Sequence, residues 1–508
     1  MIWNLEEFFL DKNDCLNSIE KMNDLYNKVE KYKFYDYDNM EEINNFFNIY
    51  KLYKQIKDEF SSYFDLLEMQ NYQDSTLRIL KDKFKLMNKK MKSLFDIVFF
   101  KLETKIEKHK QNKNYKKYKY IIENYNLSKE NECIRCLELF DSLNKDVFAA
   151  NVSQDKFKYT YLKIINDYFN SLIENLDDSY VEEILNYHSE LTRNELSNLF
   201  KIVSKNSYLN TVYEEVMRED IILKNPNIDY LEGQKKVLES LSILGQDYKN
   251  EIKNIFDHNR IDYEIRKNKS DSDFTYGTKN HQAYISINYQ KDIESLLTLS
   301  HELGHAVEHN KKYKQTLLKK IPSSELYSLT NELITGNYLL KNANTLSEKL
   351  DISLELLRIY MTNMFEILAL SNLTLKVGSH IEKNGYITLK NINTISTNII
   401  NKYNLSAQKN FWITPDIFEN MDQIIYTYGI IGASNIYSSI EDRKFNVNDY
   451  KECLKQSKGS TFEIFDILEC NPVKEDNIIK SITNYKKLLM NTEDLVYEMK
   501  KRRKNGIW

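Results

Sequence analysis

The stretch TLSHELGHAVEHN, residues 298–310, holds three of the chain's eight histidines. It closes a longer run, KDIESLLTLSHELGHAVEHN (291–310), whose apolar residues recur every three or four positions, a pattern that predicts a helix. Residues four apart share a helix face, so His301 and His305 aim their imidazoles at one point. Glu302 is turned about 100° from His301. It flanks an ion held by the two histidines without being its ligand, where a general base for activated water belongs. Leu296, Leu299, Leu303 and Val307 on the opposite face anchor the helix in a core. Gly304 costs up to about 1 kcal/mol against alanine in a helix interior, so its presence signals another backbone close by.

Working outward, two histidines leave a metal short of the usual three protein ligands plus water. Glu308 and His309 lie on the same helix, and a rigid helix rarely delivers a third ligand from Glu308, three residues past His305. Downstream, SSELYSLTNELITGNYLL (323–340) reads as a second helix, opened by Pro322, Ser323 and Ser324. Glu325 at its start can fold back over the first helix. Glu332, two turns further on, can instead hydrogen-bond a ligating histidine. Geometry favours Glu325 and leaves Glu332 open. Upstream, SDSDFTYGTKN (270–280) is the most turn-rich stretch of the chain, and AYISINY (283–289) alternates as a short strand does.

Composition bounds the rest. At 508 residues, with 42% hydrophobic and 29% charged residues, the chain suits a large soluble globular protein of more than one lobe. A net charge of −4 gives no global attraction to nucleic acid or to an anionic membrane. The four prolines and eleven glycines argue for long helices and few tight turns. The opening MIWNLEEFFLDKND has neither the basic flank nor the apolar core of a signal peptide. The uncharged run QIIYTYGIIGASNIYSSI (423–440) is studded with Gln, Thr, Asn and Ser and reads as a buried helix, not a membrane span. Five scattered cysteines suit a reducing cytosol; CIRC (133–136) lacks the second pair that a zinc site needs and reads as one face of a helix.

Residues 1–205 read as consecutive amphipathic helices forming an N-terminal lobe, exemplified by LRILKDKFKLMNKKMKSLFDIVFFKLETKIEKHK (77–110). Residues 206–508 form the metal-binding catalytic region. The basic run KIEKHKQNKNYKKYKYI (105–121) reads as a solvated helix face rather than a nucleic-acid surface. The basic tail KKRRKNGIW carries no assignment.

Taken together, these residues resemble the thimet oligopeptidase and oligoendopeptidase F family of zinc metallopeptidases, and oligoendopeptidase F most. The resemblance runs through LGQDY (244–248), an Ile-Asp stretch at 261–262, a glycine-bearing loop, a strand ending in Asn-Tyr-Gln (288–290) and HELGH. SSELYSLTNELITGNYLL looks like the family's Glu-x-x-Ser-x-x-Asn-Glu helix. The resemblance is clear over residues 235–345 and extends to 475. It implies a mainly α, two-lobed fold with a deep central channel and a small β-element before the zinc helix. It further implies Glu325 as the third ligand of one Zn2+ per chain and Glu302 as the base. The substrates implied are short unfolded oligopeptides, paired by strand addition to Tyr284–Tyr289, with Tyr284, Ser286 and Asn288 as binding residues.

The C-terminal pattern departs from the family. A late helix usually carries a histidine and tyrosines for substrate and oxyanion; here WITPDIFENMDQIIYTYGIIGAS (412–434) takes its place, and no histidine follows His380. Asp416 or Asn420 stands where histidine is usual, and Tyr426 and Tyr428 remain as phenol donors. The spacing from His305 to Glu325 is shorter than the common form, and Glu308 replaces a frequent histidine. The expected protein is a cytoplasmic zinc endopeptidase hydrolysing internal bonds of oligopeptides by attack of zinc-bound water. Its rivals are a dedicated maturation protease for one peptide, a zinc-stabilised peptide-binding protein without turnover, and a helical interaction scaffold.

Overall fold

The computed structural model describes residues 3–504 apart from 4, 7, 10, 70–74, 113, 128–153, 175–178, 183–190, 219–225, 268, 271, 278–280, 313–322, 407–411, 413–419 and 456–461. Cys133, Cys136 and Asp416 therefore lie outside the described residues. What is described is almost wholly helical with one small sheet, as the scarcity of proline and glycine implies. The chain divides into two compact units: Met1–Asn131 with Asn259–Ser272 and Tyr276–Ser286, and Glu132–His258 with Asp273–Thr275 and Ile287–Trp508. Later segments around the small sheet thus return to the first unit.

The first unit is built on α1 (Lys12–Glu30), α2 (Met40–Met69), α3 (Ser75–Lys105) and α4 (Tyr115–Leu127). Asp11 starts α1 by accepting the N–H groups of Asn13 and Asp14. Along α3, Leu77, Leu80, Phe84, Met87, Met91, Leu94, Val98 and Leu102 are buried at the three-to-four spacing read from the sequence. Phe46, Phe60, Phe95 and Phe99 are fully enclosed in this core. The basic run pairs with the protein's own acids: Lys110 and Lys119 each lie 2.9 Å from Glu107, and Lys108 lies 3.0 Å from Asp38. That is a solvated, self-neutralised face.

Strands β1 (Ile261–Asp262), β2 (Phe274–Tyr276) and β3 (Tyr284–Ser286) make a three-stranded sheet in the order β1-β3-β2. β1 and β3 run parallel, with Ile261 opposite Ile285. β3 lies in the predicted strand. β2 falls in the stretch read as turns, where three residues are too few to show an alternation. Tyr276 anchors its end by donating from its hydroxyl to Asp65, 3.0 Å away.

The second unit contains α5 (Gln154–Glu174), α6 (Arg193–Lys205), α7 (Tyr208–Met217), α8 (Tyr230–Ser240), α9 (Gln246–Asp257), α10 (Ile293–Lys312), α11 (Ser324–Asn342) and α12 (Leu346–Tyr360). A π-helical turn, Met361–Glu366, leads into α13 (Ile367–Asn384), followed by α14 (Leu389–Tyr403), α15 (Asn420–Glu441), α16 (Val447–Lys455), α17 (Glu463–Ile467) and α18 (Glu475–Lys504). Thr345 and Glu348 form a reciprocal capping box that starts α12. The uncharged run 423–440 lies within α15, with Ile424, Ile430, Ile431 and Ile436 buried. No described helix is long and apolar enough to cross a membrane. Among the described cysteines, Cys15, Cys453 and Cys470 are buried and not joined in disulfides.

At the centre of this unit is α11, which packs against α10 on one side and α15 on the other. Every residue from Glu325 to Gly336 is buried, so this span has no solvent face and the helix shows only a weak amphipathic pattern. Several of its polar residues bond to neighbouring helices. Ser300 on α10 shares a 2.7 Å hydrogen bond with Thr335, and Thr335 another of 2.9 Å with Ser240. Asn331 Nδ2 donates to the Ser300 carbonyl at 3.1 Å, and its Oδ1 accepts from Tyr248 at 2.8 Å.

The two helices meet backbone to backbone at Gly304. A Cβ there would lie 2.5 Å from Ser328 Cα and 2.7 Å from its nitrogen. Gly304→Ala is expected to destabilise the protein by about 1–3 kcal/mol despite alanine's better helix propensity, because backbone cannot rotate away as a side chain can. Chemical denaturation of the two proteins measures it.

Candidate metal centre

α10 and α11 bring His301, His305 and Glu325 together, with one ligand atom of each within 4.8 Å of the others. Glu325 Oε2 lies 3.5 Å from His301 Nε2 and 3.3 Å from His305 Nε2. Ligand atoms about 2.0–2.1 Å from a tetrahedral ion are roughly 3.3 Å apart. The spacing and the two-nitrogen, one-carboxylate donor set therefore fit a small divalent cation. The two rings stand at 75° to one another with centroids 5.0 Å apart, as four-residue spacing on a helix places them.

Glu332, the alternative candidate, lies behind the first histidine: its Oε2 is 3.1 Å from His301 Nδ1. A proton on Nδ1 donated to this carboxylate leaves the Nε2 lone pair facing Glu325, which is how a ligating histidine is usually oriented. Ser328 Oγ, one turn after Glu325, lies 3.0 Å from Glu325 Oε2 and 3.1 Å from the Glu325 carbonyl oxygen. The Glu-x-x-Ser-x-x-Asn-Glu pattern thus has a physical task at each position. Glu325 faces the histidines, Ser328 steadies Glu325, Asn331 ties α11 to α10, and Glu332 orients His301.

Burial opposes a charge on either imidazole, yet Glu325 and Glu332 lift His301 well above its ordinary pKa, and Glu325 lifts His305. Glu325 in turn is held far below the carboxylate range by both histidines, against the effect of its burial. The centre is an anionic hollow that demands positive charge. A cleft opens on His301 and Glu302, walled by Thr298, Arg358, Thr362 and Asn363. The last two belong to the π-helical turn, a rare feature often found at functional sites. Arg358 is committed to Glu294 and Glu355, at 3.0 and 2.8 Å.

α15 crosses α11 at a second glycine. A Cβ on Gly429 would lie 2.8 Å from the Glu325 backbone carbon and carbonyl oxygen. Three residues earlier on the same helix, Tyr426 is half-buried within the electrostatic reach of Glu325. The charge of Glu325 and burial, with Glu302 and Glu332 adding, push that phenol far above its usual pKa and keep it protonated. Tyr428, named beside it from the sequence, does not share the site. Two residues on, it is turned about 200° around the helix; it is fully buried, its ring 5.4 Å from Phe462. Asn420 is the first residue of α15. Glu308 is buried beside Tyr248, Tyr327 and Tyr450.

The expected role of β3 in binding a peptide needs correction. β3 is the central strand of β1-β3-β2, so protein strands flank both of its edges, and Tyr284 and Ser286 are 3% and 0% exposed. Asn288 is engaged by Asp273, which accepts its N–H at 2.8 Å. The residue that sequence reasoning missed is Thr275 on β2, whose Oγ1 lies 2.6 Å from Glu302 Oε2. A lone threonine in a turn-rich stretch carries no signal that would have found it.

Comparisons with known proteins bear on what this fold and this site resemble. No family model matches the chain. Over 300 residues the chain is 26% identical to the chromosomal oligoendopeptidase F of Lactococcus lactis subsp. cremoris, covering 54% of this chain and 49% of that protein. Over 219 residues it is 26% identical to the oligopeptidase PepF of Bacillus subtilis, covering 42% and 31%. The chain thus spans about half the length, or less, of the curated relatives it matches. Among solved structures, a candidate peptidase from Chlamydophila abortus aligns with a TM-score of 0.73 at 17% identity, over 97% of this chain and 98% of that one. Oligoendopeptidase F from Enterococcus faecium aligns at 0.61 and 13% identity, over 95% and 98%. At these identities the likeness is one of fold. Fold and sequence thus both make the chain similar to oligoendopeptidase F proteins.

Removing the carboxylate behind His301 tests the centre. Glu332→Gln is expected to weaken Zn2+ affinity by about 10–100-fold, read by competition with a chromophoric chelator. His301→Ala is expected to abolish stoichiometric binding.

Proposed function

We propose that the chain is a zinc-dependent endopeptidase acting on short, unfolded oligopeptides in the cytoplasm. The observation that carries this reading is the convergence of His301, His305 and Glu325, with Glu302 beside them on the same helix. The relatives named oligoendopeptidase and oligopeptidase support the substrate class.

His301, His305 and Glu325 would hold zinc, which would supply Lewis acidity toward a scissile carbonyl and an attacking water. The chain's own residues do the rest. Glu302 takes the proton of the attacking water and passes it to the leaving amine. Glu332 keeps the proton of His301 on Nδ1. Tyr426, kept protonated by the surrounding carboxylates, offers its O–H to the oxyanion. With β3 enclosed, the backbone of an extended peptide pairs instead with β2, the outer strand nearest Glu302.

The decisive experiment is mass-spectrometric product analysis of a mixed oligopeptide pool, with zinc-loaded wild type and Glu302→Gln in parallel. Internal cleavage by wild type alone is the expected result. No cleavage by either protein, with zinc confirmed at one per chain, removes the general peptidase and leaves the single-peptide maturation protease and the peptide-binding protein. On a cleaved peptide, Tyr426→Phe is expected to lower kcat/KM by about 10²–10³, the cost of one oxyanion donor. Tyr428→Phe is expected to stay within about twofold, since its phenol faces the core. An unchanged kcat/KM for Tyr426→Phe would remove the oxyanion role.

A further inference from the structure

Thr275 is the middle residue of β2. Its Oγ1 lies 2.6 Å from Glu302 Oε2 and 2.9 Å from the Glu302 carbonyl oxygen. A hydroxyl has one proton to donate, and the 2.6 Å contact falls in the range of O–H bonds to carboxylates, about 2.5–2.7 Å. The proton therefore goes to the carboxylate. The hydroxyl thus touches Glu302 at both ends, backbone and carboxylate, and fixes the torsions between them.

The strand that presents this hydroxyl is itself held. Asp273, two residues before it, accepts the Asn288 N–H at 2.8 Å and faces Asn288 Nδ2 at 3.4 Å, joining the start of β2 to the segment after β3. Threonine is β-branched and stiff at χ1, so a fixed strand aims Oγ1 in one direction. Glu302, by contrast, is a long side chain on a helix and has several staggered rotamers open to it. It is only 6% exposed, so a carboxylate held here does not owe its direction to water.

We infer that Thr275 is the positioning residue for the general base: its hydroxyl holds Oε2 of Glu302, leaving Oε1 as the oxygen that accepts the proton of the attacking water. This rests on the peptidase reading proposed above. Proton transfer requires the base within hydrogen-bond reach of the water, and a displacement of about 1 Å costs about 10² in rate. A side chain that serves only to fill space or satisfy a buried group would alter stability without separating kcat from KM.

The test compares Thr275→Val, which keeps the shape and loses the hydroxyl, with Thr275→Ser, which keeps the hydroxyl. In the full-length zinc-loaded protein, Thr275→Val is expected to lower kcat by about 10–100-fold with KM within about twofold, and Thr275→Ser to stay within about threefold of wild type. Equal zinc content in all three confirms that the site is formed. Crystal structures of wild type and Thr275→Val supply a readout free of turnover. The Glu302 carboxylate is expected in one orientation on the Thr275 hydroxyl in wild type, and rotated or in several orientations in the variant. An unchanged kcat in Thr275→Val, or a Glu302 that keeps its place in the variant crystal, overturns the inference. A wild type that cleaves no peptide overturns the peptidase reading instead, and the crystallographic comparison still decides whether Thr275 holds Glu302.

Discussion

The site depends on one close contact, the backbone of α10 at Gly304 against the backbone of α11 at Ser328. Helix axes normally stay 8–10 Å apart because side chains intervene; here a missing Cβ removes the spacer. Glu325 stands one turn before the contact and Glu332 one turn after it. The crossing therefore sets one carboxylate against both Nε2 atoms and another against the Nδ1 of His301. A wider crossing would break both arrangements together, since a glutamate side chain cannot make up several ångströms while keeping its direction.

Bringing two helices this close buries polar groups that must find partners. The bonds among Ser240, Tyr248, Ser300, Asn331 and Thr335 answer that need. A fully satisfied buried network is rigid and tolerates few alternative arrangements, whereas a half-satisfied one is costly. The same network gives α11 a unique register against α10, which a purely apolar seam would define less sharply. On its other side α11 meets α15 at Gly429, and this second close approach brings Tyr426 to Glu325. Glu325 thus lies between two helices, each admitted by a glycine.

Around this core the site gathers more negative than positive charge, with Glu302, Glu325 and Glu332 all acting on Tyr426. The arginine lining the cleft is spent on two other carboxylates. A divalent ion held by His301, His305 and Glu325 would offset this imbalance. His301, Glu302, His305 and Glu325 all lie on α10 and α11, whereas Tyr426 comes from α15.

How much of this was legible depends on the range of the interaction that encodes it. Helical repeats in α3 and α10 were readable because burial on one face imposes a period on neighbouring residues. His301 and His305 were readable because a helix alone makes residues four apart converge, and Gly304 because a glycine inside a helix is costly without a reason. Glu325 against Glu332 could not be settled from spacing, since both face α10 and only the crossing decides which reaches Nε2 and which Nδ1. Tyr426 and Tyr428 could not be separated without the rotation of α15 relative to α11. The strand β2 and its Thr275 left no local pattern, and the enclosed position of β3 follows from which strands flank it. The sequence by itself determined the helices, the paired histidines and the chemical type of the site. The tertiary structure decided the distances and the partners, because these arise where segments far apart in the chain meet, and no periodicity records such a meeting.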